Sequence, residues 1–243
     1  MERTLTREFP VPVSQCAADG RLSLPGIFNM FMDMATLHAK RLGIGLEELS
    51  PRGLFWLTVR TKIRVYRRPG IAEDISVTTW PEKPGKLRSY RDYVLRDARG
   101  VAAEGKTEWA VISTQTGRLT PAEEVFSPEL REALTDETVI EGPFSRIREQ
   151  FAPEDAWASY TVRSTDIDLG GHMNNAAYPR MVLGAFSNRE LLELKIRDME
   201  FNFRAPCFEG NTLTLCRRPT DAGWEIGVFL PDGKTVLLGK ISG

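Results

Sequence analysis

The apolar positions near the start of the chain converge on one helix. Ile27, Phe31, Met34, His38 and Leu42 recur at steps of three and four, with Pro25 in the first turn and Gly43 just past the end. That spacing predicts a buried helix over Ser23 to Leu42. The period then changes to that of strands, expected over Leu54 to Val65, Asp74 to Trp80, Leu87 to Asp97 and Val101 to Thr114, with a turn at Asp97 to Gly100 before the last. Residues 120–155 carry Pro121, Pro128, Pro143 and Pro153 among acidic side chains and predict a connector with one short helix. Beyond it the order begins again. A strand is expected over Tyr160 to Arg163, and a helical face runs through Tyr178, Met181, Val182, Ala185, Phe186, Arg189 and Leu192. Strands follow over Arg197 to Arg204, Asn211 to Arg217, Trp224 to Leu230 and Lys234 to Ile241.

A weak internal repeat accompanies this order. YRRPGIAED at Tyr66 to Asp74 lies without gaps over FRAPCFEGN at Phe203 to Asn211, matching Arg67 to Arg204 and Pro69 to Pro206. Past that window the apolar alternation of the two halves slips by one residue. A long helix wrapped by a curved antiparallel sheet, occurring twice, implies an α+β tandem hotdog. The expected units are residues 1–119, a connector over 120–155, and 156–243. Each sheet needs a neighbour to cover it, and two units in one chain imitate a dimer, so a monomer or homodimer is expected.

Composition narrows the function classes. The 243 residues are 42% hydrophobic and 27% charged, ordinary for a globular chain, and the net charge of −1 leaves no basic surplus for nucleic acid. No apolar run has the length of a signal peptide or a membrane span, so a cytoplasmic protein is expected. Cys16, Cys207 and Cys216 form no CxxC pair, which points to reduced thiols and to neither a disulfide framework nor a metal site. Two histidines, His38 and His172, limit any imidazole chemistry to those positions. His38 shares a helical face with Phe31 and Met34 and is expected to be packed. Trp56, Trp80 and Trp109 are most simply core aromatics, and Met30, Phe31, Met32 and Met34 either fill the core or line an apolar tunnel.

The segment Asp166 to Tyr178, DIDLGGHMNNAAY, concentrates the candidate chemistry. A strand ends near Thr165, a Gly-Gly turn follows, and Asn174 and Asn175 offer caps to a helix starting near Ala176. Amides at that start, with the positive end of the helix dipole, can polarise a carbonyl and hold an oxyanion. Asp168 can fix the tautomer of His172 and leave the other ring nitrogen to activate water or a thiol. Plainer roles are open to the same residues: Asp168 as the cap of its own turn, the asparagines as helix caps, His172 as a turn histidine bonded to a carbonyl.

His172-Met173-Asn174-Asn175 with Tyr178, after Asp166-Ile167-Asp168, resembles the signature of the acyl-ACP thioesterase family, the plant chain-terminating enzymes and their bacterial relatives. FWLTVRTKIRV at Phe55 to Val65, Thr79-Trp80-Pro81, the Arg88 to Arg91 region, EGKTEWAVIS at Glu104 to Ser113 and the segment around Cys207 extend the resemblance over nearly the whole chain. It implies a tandem hotdog, hydrolysis of acyl-ACP to fatty acid and ACP, and no metal or organic cofactor. The family's catalytic pattern falls on Asp168, His172 and Cys207, with Cys207 or water as nucleophile. Its usual Asn and Glu positions are Gly170 and Pro206 here, Pro206 also being explicable as a strand-entry proline. Gly170, Asn174, Asn175 and Ala176 are expected to shape the oxyanion site, and Arg60, Arg64, Arg67 and Arg68 to contact the acidic carrier. An acyl-CoA thioesterase, a non-catalytic acyl-binding hotdog and a 3-hydroxyacyl dehydratase are the alternatives. The last is disfavoured because no residues of the first repeat copy the His172 loop.

Overall fold

The computed structural model describes residues 3–243; Met1 and Glu2, the first residues of the charged N-terminal stretch, lie outside the described residues. Two compact units make up the chain, one running to Gly142 and the other from Pro143 to Gly243. The first contains β1 (Leu5–Pro10), α1 (Leu24–Arg41), α2 (Leu46–Leu49), β2 (Leu54–Val65), β3 (Asp74–Pro81), β4 (Ser89–Asp97), β5 (Gly100–Ser113), β6 (Leu119–Thr120) and α3 (Pro128–Ala133). The second contains β7 (Ala156–Thr161), α4 (Ala177–Gly184), α5 (Asn188–Leu194), β8 (Asp198–Phe203), β9 (Thr212–Thr220), β10 (Gly223–Phe229) and β11 (Thr235–Ser242). Strands run β1-β3-β4-β5-β2 in the first unit, with β6 added to β5, and β7-β9-β10-β11-β8 in the second, all antiparallel. The two orders are the same once corresponding strands are matched, so the hotdog layout occurs twice.

Helix α1 forms where its spacing places it. Ser23 Oγ accepts the Gly26 N–H at 3.0 Å, Pro25 occupies the first turn, and Ile27, Phe31, Met34 and His38 are buried on one face. Phe31 lies directly on Gly105 of β5, where a Cβ would come within 2.6 Å of its ring, and stacks on Tyr93 of β4 at 4.8 Å. The glycine is what lets helix and sheet approach this closely. His38 is fully buried, and Arg91 Nη1 donates to its Nδ1 at 3.0 Å; since arginine only donates, that ring nitrogen carries no proton.

Three elements depart from the sequence pattern. Strand β1, which pairs with β3, has no clear alternation because only Leu5 of its six residues is buried. The proline-rich segment does not stay an open connector. Val125, Phe126, Leu130 and Leu134 pack with Leu42, Ile44, Leu49, Leu54 and Val111 in the first unit's core, and only the part from Pro143 onward belongs to the second. The second helical face is divided into α4 and α5, so the second unit lacks one long helix. The division falls at Ser187, whose Oγ accepts the Glu190 N–H at 3.2 Å while Glu190 Oε2 accepts the Ser187 N–H at 2.8 Å, a reciprocal cap that starts a new helix.

A buried polar network fastens the chain after α3 to the first sheet. Asp92 Oδ1 accepts from Thr138 Oγ1 at 3.1 Å and from the Val139 N–H at 3.0 Å, and Lys106 Nζ reaches Glu82 at 2.5 Å and Thr138 at 2.9 Å. Burial, followed by the neighbouring Glu82 carboxyl, pushes Asp92 up to about 7. Among the described residues no helix is long and apolar enough to cross a membrane.

Candidate active site

Strand β7 ends at Thr161, and the chain turns through Ser164–Asp166 before a short antiparallel bridge between Ile167 and Met173 closes the loop that carries His172. The Asp168 N–H donates to the His172 carbonyl at 2.9 Å and the Gly171 N–H to the Asp168 carbonyl at 3.0 Å. The Met173 N–H donates to the Cys207 carbonyl at 2.8 Å, which lays the segment after β8 alongside the loop. The His172 ring leans on Phe208, centroids 5.2 Å apart. These backbone bonds bring the buried Cys207 segment, distant in sequence, beside the loop that carries Asp168 and His172.

The side chains do not all take the roles expected of them. Asp168 Oδ1 accepts the Gly170 N–H at 2.8 Å, the cap of its own turn, and among the described residues no hydrogen bond joins its carboxylate to the His172 ring. Asn174 Oδ1 accepts the Ala176 N–H at 2.8 Å and its carbonyl accepts the Ala177 N–H at 2.8 Å. Helix α4 begins at Ala177, one residue later than expected, and the Ala176 amide is held by the Asn174 side chain rather than left open. Among the described residues the Asn175 N–H donates no backbone hydrogen bond. Cys207 is fully buried, and its thiol is pushed up by burial, an effect that the nearby Tyr178 hydroxyl and Lys234 only partly offset. Tyr178 is likewise pushed up, first by its own burial and then by Cys207 and Asp168. Gly171, with φ 74, takes the left-handed conformation of the turn; Gly170 does not.

One residue of the loop escaped the sequence reading. Asp166 is 1% exposed and accepts from Tyr160 Oη at 2.6 Å, the Arg163 N–H at 2.9 Å and Arg180 Nη2 at 2.8 Å. Burial alone raises its carboxyl, and these three donors outweigh that and hold it below the usual range. The spacing of Tyr160, Asp166 and Arg180 gave no periodic signal, because each sits on a different element.

The arginines expected to meet the carrier are largely committed within the first unit. Arg60 Nε donates to Glu108 at 2.6 Å beside Arg88, at 2.8 Å from the same carboxylate. Arg67 pairs with Asp97 and donates to the Val101 and Gly100 carbonyls, and Arg68 pairs with Asp19. Arg67 first, and then the Arg99 N–H, hold Asp97 down at about 2. Arg64 stands opposite Glu104 on β5.

The first unit copies the His172 loop in backbone. Ala17 N–H donates to the Arg21 carbonyl (2.8 Å), Gly20 N–H to Ala17 (3.0 Å), Leu22 N–H to Pro69 (2.8 Å) and Ser23 N–H to Gln15 (2.8 Å). The second unit repeats each bond: Asp168 to His172, Gly171 to Asp168, Met173 to Cys207, and Asn174 to Asp166 at 2.7 Å. Gly20 and Gly171 share φ near 70. The expectation that the first repeat lacks this loop is thus corrected: the bonds are copied and the chemistry is not, since Arg21 stands for His172 and Ala17 for Asp168. The match also moves the sequence alignment by one residue. The Tyr66 and Arg67 N–H groups share the Ala102 carbonyl as those of Arg204 and Ala205 share Val236, so Pro69 corresponds to Cys207 and Arg68 to Pro206. The Asp19–Arg68 ion pair of the first loop therefore occupies the positions of Gly170 and Pro206.

Two hotdog units with a histidine-bearing loop in the second alone define a tandem hotdog protein with one candidate site. The acyl-ACP thioesterase N-terminal domain matches residues 2–129 and the C-terminal domain residues 150–228, and the chain belongs to the acyl-ACP thioesterase family. The fold is that of an acyl-ACP thioesterase from Bacteroides thetaiotaomicron, with TM-score 0.88 and 24% identity over 99% of this chain and 97% of that one. It is also that of the 12:0-ACP thioesterase from Umbellularia californica, with TM-score 0.86 and 21% identity over 100% and 97%. The chain is 25% identical over 253 residues to the dodecanoyl-[acyl-carrier-protein] hydrolase of Cinnamomum camphora, covering 96% of this chain and 66% of that protein. For the oleoyl-acyl carrier protein thioesterase of Coriandrum sativum the figures are 22% over 230 residues, 85% and 58%. The chain thus spans about three fifths of the length of these plant relatives.

Proposed function

We propose that the protein hydrolyses fatty acyl thioesters carried on ACP, releasing free fatty acid and ACP. The observation that carries this reading is the His172 loop, which gathers Asp168, His172 and the Cys207 segment by backbone hydrogen bonds in the unit that matches the family's C-terminal domain. His172 takes a proton from water, the water oxygen bonds to the thioester carbonyl carbon, and the resulting oxyanion is received by the Asn175 N–H at the foot of α4. Collapse breaks the carbon–sulfur bond and the leaving thiolate takes the proton from His172. Water is preferred to Cys207 as nucleophile because a buried, pushed-up thiol supplies little thiolate. Asp168 shapes the turn that presents His172.

Purified protein is given acyl-ACPs of several chain lengths and the matching acyl-CoAs, and free fatty acid is measured. Faster release from ACP supports the reading, and preference for CoA identifies the other carrier. A second reading, an acyl-binding protein without turnover, is favoured by Gly170 and Pro206, which lack the polar side chains that Asp19 and Arg68 place at the matching positions of the first loop. Acyl-ACP binding with no release selects it.

A further inference from the structure

We infer that Asp166 is a positioning residue: gripped by Arg180 from α4 and Tyr160 from β7, it sets the placement of the loop that carries His172. The carboxylate takes donors from both sides of that loop. Tyr160 Oη (2.6 Å) comes from β7, the Arg163 N–H (2.9 Å) from the residues just after it, and Arg180 Nη2 (2.8 Å) from the helix that leaves the loop. The Asp166 carbonyl accepts the Asn174 N–H at 2.7 Å, two residues past His172. All four bonds converge on one buried residue, so His172 and the Asn175 amide are fixed in register with each other through it. Near-attack geometry tolerates little displacement, and about 1 Å can cost on the order of a hundredfold in rate.

The first unit supplies an independent comparison. There Gln15 takes the place of Asp166 and Asn29 that of Arg180, and they are joined by a single neutral bond, Asn29 Nδ2 to Gln15 Oε1 at 3.3 Å. The loop they brace carries Arg21 in place of histidine. The charge-assisted, three-donor version appears only where the histidine does, and charged hydrogen bonds are shorter and roughly twice as strong as neutral ones. Arg180 is 62% exposed, so it is not there to fill the core.

The test uses Arg180→Met and Tyr160→Phe in the full chain, with Arg180→Lys as the conservative variant and Asn29→Ala as the first-unit control. As far as it concerns rate, the inference rests on the proposed thioesterase activity. In both severing variants kcat on acyl-ACP is expected to fall about tenfold with KM within threefold. Arg180→Lys is expected to recover part of that loss, and Asn29→Ala to change neither constant. The chain has two histidines, so imidazole resonances report His172 without any turnover. Arg180→Met should shift the His172 signal, which senses the Phe208 ring, and leave His38 in place. Unchanged kcat in both variants, or an unmoved His172 signal, overturns the inference even if the melting temperature drops. A wild type that releases no fatty acid overturns the thioesterase reading instead, and the imidazole signals then decide the positioning role alone.

Discussion

Replacing Cys207 by alanine separates the two nucleophiles that the loop brings within reach. A thiol at its ordinary value of 9.0 is ionised to about 2–3% at pH 7.4, and burial of Cys207 pushes the value higher and the thiolate fraction lower. A dedicated nucleophilic cysteine needs the opposite, a lowered value in an accessible, positively charged setting. Cys207 is 0% exposed, and its electrostatic neighbours Tyr178 and Lys234 do not overcome its desolvation. The expected result is that Cys207→Ala keeps kcat within about threefold. Loss of one buried sulfur should cost roughly 1 kcal/mol of stability, or about 2–4 °C in melting temperature for a chain of this size. Free fatty acid released from a single acyl-ACP is measured by mass spectrometry, alongside the intact mass of the protein during turnover. A fall of a thousandfold or more in kcat, or an acyl adduct on the wild type that the variant lacks, would refute the water mechanism.

The remaining predictions concern the base, the turn, the buried acid and the arginines. His172→Ala should lower kcat by about 10²–10⁴ with the fold intact by circular dichroism, and wild-type turnover would remove it from the mechanism. Gly170→Asn should fold normally, because the left-handed residue of the turn is Gly171, and should raise kcat severalfold; an unchanged rate means the missing amide is not what limits this protein. Asp92 has a value raised from 3.8 to about 7, so its contribution to stability is fully present below pH 4 and is lost as pH rises through 7. Melting temperature should fall over that window in the wild type and fall less in Asp92→Asn. Arg67→Glu should destabilise the first unit, since it leaves the Asp97 carboxylate without its main partner, and a selective rise in KM with unchanged melting temperature would instead restore Arg67 as a carrier contact.

Much of the architecture is legible in the sequence because it depends on local periodicity. Strands β2 to β5 of the first sheet, the cap and length of α1, and the restart of the pattern near Tyr160 follow from apolar spacing and from Pro and Gly placement, which act within a few residues. The motif from Asp166 to Tyr178 also locates the candidate site without coordinates. What the one-dimensional pattern could not supply is who bonds to whom. Asp168 bonding to Gly170 rather than to His172, the Ala176 amide spent on Asn174, and the convergence of Tyr160 and Arg180 on Asp166 are competitions among several donors and acceptors. Each is resolved only when separate elements come within about 3 Å. The kinship of the two loops was hidden for the same reason. Gln15–Ser23 lies over Asp166–Asn174 without gaps but shares only the glycine at Gly20 and Gly171, while the hydrogen bonds, made by backbone that every residue shares, are kept. Sequence alone determined the order of elements and singled out the candidate loop; tertiary structure decided the partner of each polar group, because hydrogen bonding depends on distance in space and periodicity depends on distance along the chain.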